Sequence, residues 1–469
     1  MRIVTQYIYQ YKLEDDVHLL LNTMTGAMDT VNGRIAELLK PRVQLDDSLL
    51  TTEEAEFLNE RGYLVDENNE QALVTAWFAE FKRRMKAFHF IVCPTFTCNL
   101  RCPYCFEGLD IRTSKTAMSV EQIDHMFKSM DLLIQERDAS RVDLQFYGGE
   151  PFLKSNQHIV EQITERAASR GWPISGITNG TQIHHYFELF ERIGSEAVDQ
   201  IQITLDGPEE IHDQLRIHAN GRGSYQEIRR NVDQLLAMGI PVLLRVNTGK
   251  DNVAHLPMMF EEFEKMGWTA YDHFQCQISP ITDHGCTGCV PNYQPEFKLL
   301  RQLHELMGDW EAARERYHLM LGYDMERRTS LIRSAIYGKE SFMQRGEGID
   351  LTGCSASKQH YVIYGADGLI YACPETVGQS EMAIGRFTPQ HELDRQRWNA
   401  WEVNIANTSK CSTCNIAPVC GGACPLQGFN GSSFDAYEPH CNFAQQTIKA
   451  YLDLNRSRIM DLISSSVGG

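Results

Sequence analysis

Between residues 88 and 322, short apolar runs alternate with amphipathic segments of helical period. Segments such as "SVEQIDHMFKSMDLLIQ" and "YQEIRRNVDQLLAMG" repeat apolar residues every three or four positions, which indicates helices. The apolar runs between the helical segments indicate six strands, at 88–93, 142–149, 173–180, 201–207, 241–248 and 274–281. Because repeated β/α units form a parallel sheet, we predict an α/β fold, a partial (β/α)6 barrel over residues 86–322, with its active site at the carboxyl ends of the strands.

The segments on either side of this barrel have different patterns. Residues 1–85 contain strand-like runs joined by a tight turn, and "TTEEAEFLNERGYLV" indicates a capped helix followed by a strand, so we expect a small α+β unit. Residues 323–347 indicate a helical bridge, and 446–469 a C-terminal helix and tail. Residues 348–445 are rich in Gly and Cys and show little periodicity. We expect that such a region cannot bury enough apolar surface by itself and is held together by metal.

Charge and cysteine content narrow the class of function. The net charge of −18 disfavours a nucleic-acid groove or an anionic membrane surface as the main partner. Neither an export signal nor an apolar run of about 18 residues is found, so we expect a cytoplasmic location. Fourteen cysteines in such a chain are expected to be reduced and to act as metal ligands rather than to form disulfides.

Three cysteines follow the first predicted strand, in "CPTFTCNLRCPYCFEG". A structural zinc site requires four protein ligands, whereas Cys98, Cys102 and Cys105 supply three. A [4Fe–4S] cluster held by three cysteines leaves one iron free for another ligand. The spacing therefore favours an iron–sulfur cluster with an open iron.

The CxxxCxxC spacing resembles that of the radical SAM superfamily, in which the open iron binds S-adenosylmethionine. "YGGEP" at 147–151, "TNG" at 178–180 and "TLDGPEEIHDQLR" at 204–216 resemble further motifs of the superfamily, each at the end of a predicted strand. The resemblance implies that Cys98, Cys102 and Cys105 hold the catalytic cluster. It further implies that Tyr104 contacts the adenine face and that Arg216 binds the methionine carboxylate. The complete set of implied cofactor contacts is Tyr104, Gly148, Gly149, Glu150, Asn179, Thr204 and Arg216.

Seven further cysteines have the spacing Cx13Gx4C followed by CxxCx5CxxxCx16C, which resembles the SPASM domain. That resemblance implies two auxiliary [4Fe–4S] clusters and hence three clusters in all. The outer cluster would be held by Cys411, Cys414, Cys420 and Cys441, and the inner one by Cys354, Cys373 and Cys424. The inner cluster would lack one ligand, which Cys276, Cys286 or Cys289 supplies or which is left open to substrate. A pair of zinc knuckles is the alternative for this spacing.

Enzymes that combine these two domains act mostly on ribosomal peptides or protein side chains. The N-terminal unit resembles the winged-helix-like element that binds the leader of a precursor peptide by strand addition; a plain packing module is the alternative. The resemblance implies a precursor peptide and an electron donor such as flavodoxin or ferredoxin as partners. An electron carrier or zinc scaffold would have no use for the GGE and DGP motifs.

Within that class we expect thioether crosslinking of the sactipeptide and ranthipeptide type. Anaerobic sulfatase maturation, carbon–carbon cyclophane formation and epimerisation are the alternatives. In the sulfatase-maturing branch an acidic residue directly follows the cysteine of Gx4C, whereas this chain has Pro374 there and Glu375 one position later.

Overall fold

The computed structural model describes residues 2–66, 70–282, 292–339, 351–430, 433–439, 441 and 443–466. The N-terminal segment forms two small antiparallel sheets, with strand β1 paired to β5 and with β2, β3 and β4 in sequence order. Its strands are β1 (Arg2–Val4), β2 (Ile8–Lys12), β3 (Val17–Asn22), β4 (Met28–Asn32) and β5 (Leu64–Asp66). Its helices are α1 (Gly33–Leu38), α2 (Thr52–Glu60) and α3 (Glu70–Arg84).

Strand β3 contributes side chains both to the core of the N-terminal unit and to the core shared with the rest of the molecule. Successive strand side chains point to opposite faces of a sheet. Leu20 packs into the unit's own core, whereas Leu19 and Leu21 belong to the large core shared with the rest of the molecule. Helix α2 begins at a capping box, in which Thr51 accepts from the Glu54 backbone and Glu54 accepts from the Thr51 backbone.

Seven parallel strands follow, each a neighbour of the next in the chain. They are β6 (Ala87–Val92), β7 (Arg141–Phe146), β8 (Ile174–Thr178), β9 (Val198–Thr204), β10 (Val242–Thr248), β11 (Phe274–Pro280) and β12 (Leu319–Leu321). The first six coincide with the six apolar runs of the sequence. The seventh was not predicted, because three residues are too few to show a period.

Amphipathic helices connect these strands and cover one face of the sheet with apolar side chains. They are α4 (Leu109–Thr113), α5 (Val120–Arg137), α6 (Gln157–Ala168), α7 (Phe187–Ile193), α8 (Glu209–Leu215), α9 (Tyr225–Ala237), α10 (Leu256–Lys265), α11 (Glu296–Met307), α12 (Trp310–Arg316) and α13 (Tyr323–Tyr337). Helix α13 lies in the predicted bridge, whose residues 340–347 are outside the described ranges. No helix among the described residues is long and apolar enough to cross a membrane.

The cysteine-rich region continues the same sheet. Its strands are β13 (Tyr361–Tyr364), β14 (Leu369–Tyr371), β15 (Gly385–Arg386) and β16 (Glu392–Leu393), followed by the hairpin β17 (Phe429–Asn430) and β18 (Ser433–Tyr437). Strand β13 pairs in parallel with β6, which extends the sheet to eleven strands. The helices are α14 (Arg395–Ala400), α15 (Ala417–Cys420), α16 (Pro425–Gly428), α17 (Ala444–Leu454) and α18 (Arg456–Ser466).

The cysteine-rich region packs against the barrel, and the expectation that metal also holds it together stays a prediction. Tyr364, Ile370, Trp398 and Trp401 are all buried in the core that contains the barrel strands. The region buries its apolar surface against the barrel rather than within itself, which the local sequence pattern does not reveal.

The N-terminal unit is also fastened to the cysteine-rich region. The Thr23 hydroxyl donates to the Asn415 carbonyl at 2.6 Å, and the Asn415 amide donates to the Ile8 carbonyl at 3.1 Å. Tyr7 packs in one apolar cluster with Cys411 and Cys414. The loop that carries the first two cysteines of the outer set is therefore part of this interface.

The capping box gives a test of the N-terminal unit. Replacing Thr51 with Ala removes the side-chain acceptor for the first turn of α2 and should cost about 1 kcal/mol locally. Hydrogen exchange of the α2 amides should then be roughly fivefold faster. The matched control is Thr52→Ala, one position into the helix, which should leave exchange near the native rate. Equal rates in the two variants would contradict the capping assignment.

Candidate active site

The loop between β6 and α4 carries Cys98, Cys102 and Cys105, called here the first thiol group. Its backbone is fixed by hydrogen bonds: the Cys98 N–H donates to the Arg112 carbonyl at 3.1 Å, and the Cys105 N–H donates to the Cys102 carbonyl at 3.3 Å. The Arg101 guanidinium donates to the Cys98 carbonyl at 2.7 Å. The three thiols are thus held close together at the carboxyl edge of the parallel sheet.

These thiols are poor acids as long as no cation is nearby. Burial raises the pKa of Cys98 to about 12 and that of Cys105 to about 11. Burial also raises the pKa of Cys102, although the Arg216 guanidinium opposes the shift. A bound metal would deprotonate such thiols outright. The donor set therefore fits a cationic iron–sulfur cluster better than it fits free thiolates.

Two glycines after β7 allow the backbone to approach closely the segment that leads into this loop. Gly148 and Gly149 have φ angles of 77° and 51°, which favour glycine. A Cβ on Gly148 would lie 2.6 Å from the Cys93 sulfur, and one on Gly149 would lie 2.6 Å from the Phe96 carbonyl oxygen. The Gly149 N–H donates to the Glu107 carboxylate at 3.0 Å. Any side chain at either position would force the two segments apart.

Glu150 joins the ends of β7 and β8. Its buried carboxylate accepts from the Thr178 hydroxyl at 2.6 Å, from the Asn179 N–H at 2.6 Å and from the Phe152 N–H at 3.0 Å. Burial raises the pKa of Glu150 to about 7, although these hydrogen bonds oppose the shift. The structure thus links the GGE and TNG motifs, which the sequence analysis had treated separately.

Asn179 in turn reaches the first thiol group. Its side-chain amide nitrogen donates to the side-chain oxygen Oδ1 of Asn99 at 2.8 Å and lies 3.9 Å from the Cys98 sulfur. Asn99 was not singled out in the sequence, although it directly follows Cys98. The Asn99 amide donates to the Thr181 hydroxyl at 2.9 Å, which extends this polar contact away from the thiols.

Tyr104 and Arg216, assigned to different parts of the cofactor, meet at a third residue. The Tyr104 hydroxyl donates to the Asp206 carboxylate and accepts from the Arg216 guanidinium at 2.8 Å. Arg216 lies 3.8 Å from the Asp206 carboxylate oxygen. Burial raises the pKa of Asp206, and the charge of Arg216 opposes that shift. Asp206 is the acid of the DGP motif, so the motif itself was the signal that could have identified it.

The side of the sheet away from the helices is polar. Thr204, at the end of β9, is buried and pairs in register with Arg245 on β10. The Arg245 Nε donates to the Asn247 side chain at 2.9 Å. Burial lowers the pKa of Arg245, and the charges of Tyr147, Asp206, Tyr104 and Glu375 oppose that shift, so these groups lie near the guanidinium.

Cys354, Cys373 and Cys424 form a second set, called here the inner thiol group. Burial is the main cause that raises the pKa of all three, to about 11 for Cys354 and about 12 for Cys424. The charges of Cys354 and Cys424 add to the rise at Cys373, and Glu375 acts on all three. The three thiols and Glu375 are thus near enough for their charges to act on one another. No three His, Cys, Asp or Glu side chains in the described part of the chain converge as a single-ion site, so the ligand assignment stays a prediction.

The possible fourth ligands differ in position. Cys276 lies on β11, fully buried in the large apolar core, and only burial acts on its pKa, which is raised. Cys373 belongs to the same core, and Cys354 packs against it. Cys286 and Cys289 lie outside the described residues. Cys93 is buried in a separate apolar cluster with Ile91 and Phe96.

The remaining four cysteines form the outer thiol group. Burial raises the pKa of Cys411 to about 12, and the charges of its three companions add to the rise. The pKa of Cys414 is raised for the same reasons. The structure thus brings together the four residues Cys411, Cys414, Cys420 and Cys441.

Comparison with known proteins finds similarity to the superfamily that the cysteine motif resembles. Residues 92–265 match the family model of the Radical SAM superfamily. A cysteine-type anaerobic sulfatase-maturating enzyme of Clostridium novyi is 28% identical over 214 residues, which are 42% of this chain and 54% of that enzyme. The match thus spans about half the length of that relative.

Two solved structures share the fold at low identity. The structure of native anSMEcpe with bound AdoMet and Kp18Cys peptide superposes with a TM-score of 0.59 and 18% identity, covering 81% of this chain and 99% of that one. Streptococcus suis SuiB bound to S-adenosylmethionine gives 0.50 and 14%, covering 93% and 98%. Residues 92–265 are thus similar to the Radical SAM superfamily, and the chain shares the α/β fold of these two structures.

Proposed function

We propose that this chain is a maturase that forms thioether crosslinks between a cysteine and a carbon atom of a ribosomally made precursor peptide. Among sactipeptide and ranthipeptide maturases, PapB of the freyrasin pathway is the nearest member we suggest. The observation that carries the proposal is the inner thiol group of three, Cys354, Cys373 and Cys424, on all of which the charge of Glu375 acts. We propose that a peptide thiol takes the fourth position rather than Cys276 or the pair Cys286 and Cys289, which lie outside the described residues.

The residues of the site fit the required cofactors. Cys98, Cys102 and Cys105 would hold the catalytic cluster, and Gly148, Gly149 and the Tyr104–Asp206–Arg216 contacts would surround S-adenosylmethionine. When bound, the cluster and S-adenosylmethionine would together supply a 5′-deoxyadenosyl radical that abstracts hydrogen from carbon. The inner and outer thiol groups would hold two auxiliary clusters, and iron at the inner one would supply a Lewis acid for the peptide thiol.

The net reaction balances without an external oxidant. One peptide S–H and one C–H are converted into a C–S bond, while S-adenosylmethionine is cleaved to methionine and 5′-deoxyadenosine. The carbon-bound hydrogen ends in 5′-deoxyadenosine, and the thiol hydrogen leaves as a proton. The electron that starts the cleavage of S-adenosylmethionine is released again when the C–S bond forms, so the reaction consumes no net electron.

Anaerobic sulfatase maturation is retained as the second candidate because of Glu375. The sequence places Pro374 directly after Cys373, which counts against a base at that position. However, the Glu375 carboxylate lies beside the inner thiol group and acts on Tyr147 as well. A carboxylate that can act as a base therefore lies near the inner thiol group. The Clostridium novyi relative is named for this chemistry. Carbon–carbon crosslinking and epimerisation are further alternatives.

The N-terminal unit would bind the leader of the precursor. Five of the exposed large apolar side chains lie within its first 85 residues: Val43, Leu49, Phe57, Leu73 and Trp77. Within the described part of the chain, β4 pairs only with β3, so its other edge can accept a strand. A module used only for packing would have no need of these features. We also propose a flavodoxin or ferredoxin as the electron donor.

The first test concerns the catalytic cluster. Changing Cys98, Cys102 and Cys105 together to Ala should abolish formation of 5′-deoxyadenosine with dithionite as reductant. Iron should fall from about twelve to about eight atoms per chain, because the auxiliary clusters are held elsewhere. The control is Cys93→Ala, which should retain both the iron and the activity. Cleavage of S-adenosylmethionine by the triple variant, or zinc in place of iron in the native protein, would refute the assignment.

The second test concerns the leader. Leu73→Ala with Trp77→Ala should weaken binding of the precursor encoded beside this gene by about tenfold, because exposed aromatic anchors dominate many interfaces. Cleavage of S-adenosylmethionine without peptide should be unchanged. Leu132→Ala, an exposed leucine on α5, is the matched control. Native affinity in the double variant would mean that the leader binds another surface.

The third test identifies the product by mass spectrometry of the precursor after turnover. A thioether removes two hydrogens per crosslink and leaves its cysteine unable to react with iodoacetamide. Cys373→Ala should lose the inner cluster and the crosslink, whereas Cys276→Ala should retain both because Cys276 lies in the core. If two hydrogens are lost and every thiol still reacts, the product is a carbon–carbon crosslink or an oxidised side chain, and the thioether proposal is wrong.

A further inference from the structure

A polar cavity of about 520 Å³ opens on the outer wall of the barrel, next to the loop of the first thiol group. Asn99 lines it on the side of that loop, and Asn231 and Gln234 line it from α9. The basic side chains around the cavity come from three segments of the chain: His184, His185, His218, Arg222 and Arg230. We call this set the basic rim.

The rim is cationic in a chain whose net charge is −18. Glu227 is the carboxylate lining the cavity, and it is occupied by the Arg222 guanidinium and by His218, whose Nε2 lies 3.0 Å away. Arg230 lies exposed on α9. The exposed Lys154 is close enough for its charge, after burial and His184, to lower the pKa of His185. Two arginines and a lysine thus face solvent against one carboxylate.

One layer of side chains separates the rim from the first thiol group. Asn231 donates to the Gly180 carbonyl at 2.6 Å and to the Thr181 carbonyl at 3.2 Å. The Thr181 hydroxyl is bonded to Asn99, and Asn179 spans from Asn99 to within 3.9 Å of the Cys98 sulfur. A protein seated on the rim would therefore be close to the first cluster without entering the barrel.

We propose that the basic rim is the docking site for an acidic one-electron carrier protein, which reduces the cluster held by Cys98, Cys102 and Cys105. The inference rests on the proposed function for the existence of that cluster. In each event the carrier loses one electron and the cluster gains it, with no bond formed or broken. Complementary charge accelerates such encounters by about ten- to a thousandfold at low salt.

The experiment is stopped-flow reduction of the reconstituted protein by a bacterial flavodoxin in its hydroquinone form, followed by the cluster absorbance and by EPR. Arg222→Glu with Arg230→Glu should slow the reduction by about tenfold or more at 10 mM salt, and the difference should shrink as salt is added. Reduction by dithionite, a small molecule that needs no docking site, should be unchanged.

The matched control is Arg229→Glu with Lys265→Glu, which makes the same change in charge at a second, smaller opening on this wall of the barrel. Equal slowing in the two double variants would mean that only overall charge matters, and native rates in the rim variant would overturn the proposal. If a variant does not fold, the native protein decides: a rate with flavodoxin that does not fall as salt is added contradicts docking. Absence of a reducible cluster with dithionite would instead refute the proposed function.

Discussion

Strand β6 is hydrogen-bonded on both sides, to β7 through residues 87–92 and to β13 through residues 89–92. Both pairings are parallel, so the carboxyl ends of the barrel strands and of β13 meet at one edge of the sheet. The loop of the first thiol group leaves β6 at that edge, and the Cys93 N–H donates to the Tyr364 carbonyl of β13 at 2.9 Å. One strand therefore fixes the catalytic loop relative to the barrel and to the cysteine-rich region together.

The position of the inner thiol group follows from the same pairing. Cys354 precedes β13 and Cys373 follows β14, and these two strands are antiparallel neighbours. Val377, four residues after Cys373, packs in the apolar cluster that contains Cys93 and Phe96 of the segment before the first thiol group. The chain that follows β14 is therefore packed against the chain that follows β6.

Much of this fold can be predicted from local sequence patterns, whereas the rest depends on pairing between segments that are far apart in the chain. The six apolar runs gave six strands, and the GGE, TNG and DGP motifs lie at strand ends because their polar and small residues follow buried runs. The pairing of β13 with β6 joins residues about 270 positions apart, and no periodicity within either strand indicates its partner. The attachment of Thr23 to Asn415 is of the same kind.

Asp206 and Asn99 illustrate a finer limit of sequence reasoning. Each stands next to a residue that the motifs identify, but its role depends on which side chains arrive from other strands. Asp206 links two distant segments of the chain. Its carboxylate accepts from Tyr104 of the loop after β6 and lies 3.8 Å from Arg216, which follows α8. The motif marks Asp206 as its acid, but only the fold shows that this buried carboxylate contacts Tyr104 and lies near Arg216, two of the predicted cofactor contacts.

The glycines at 148 and 149 show why the site tolerates so little variation in shape. A Cβ at either position would come within 2.6 Å of the sulfur or backbone of the segment that precedes the first thiol group. Contacts this short require a backbone or a packed side chain to move, and packed interiors transmit such shifts rather than absorb them. Because Glu150 and Asn179 continue from this crossing to the wall of the outer cavity, a shift here would reach both faces of the loop. The two sides of the loop that carries the first thiol group are therefore joined through one tightly packed turn.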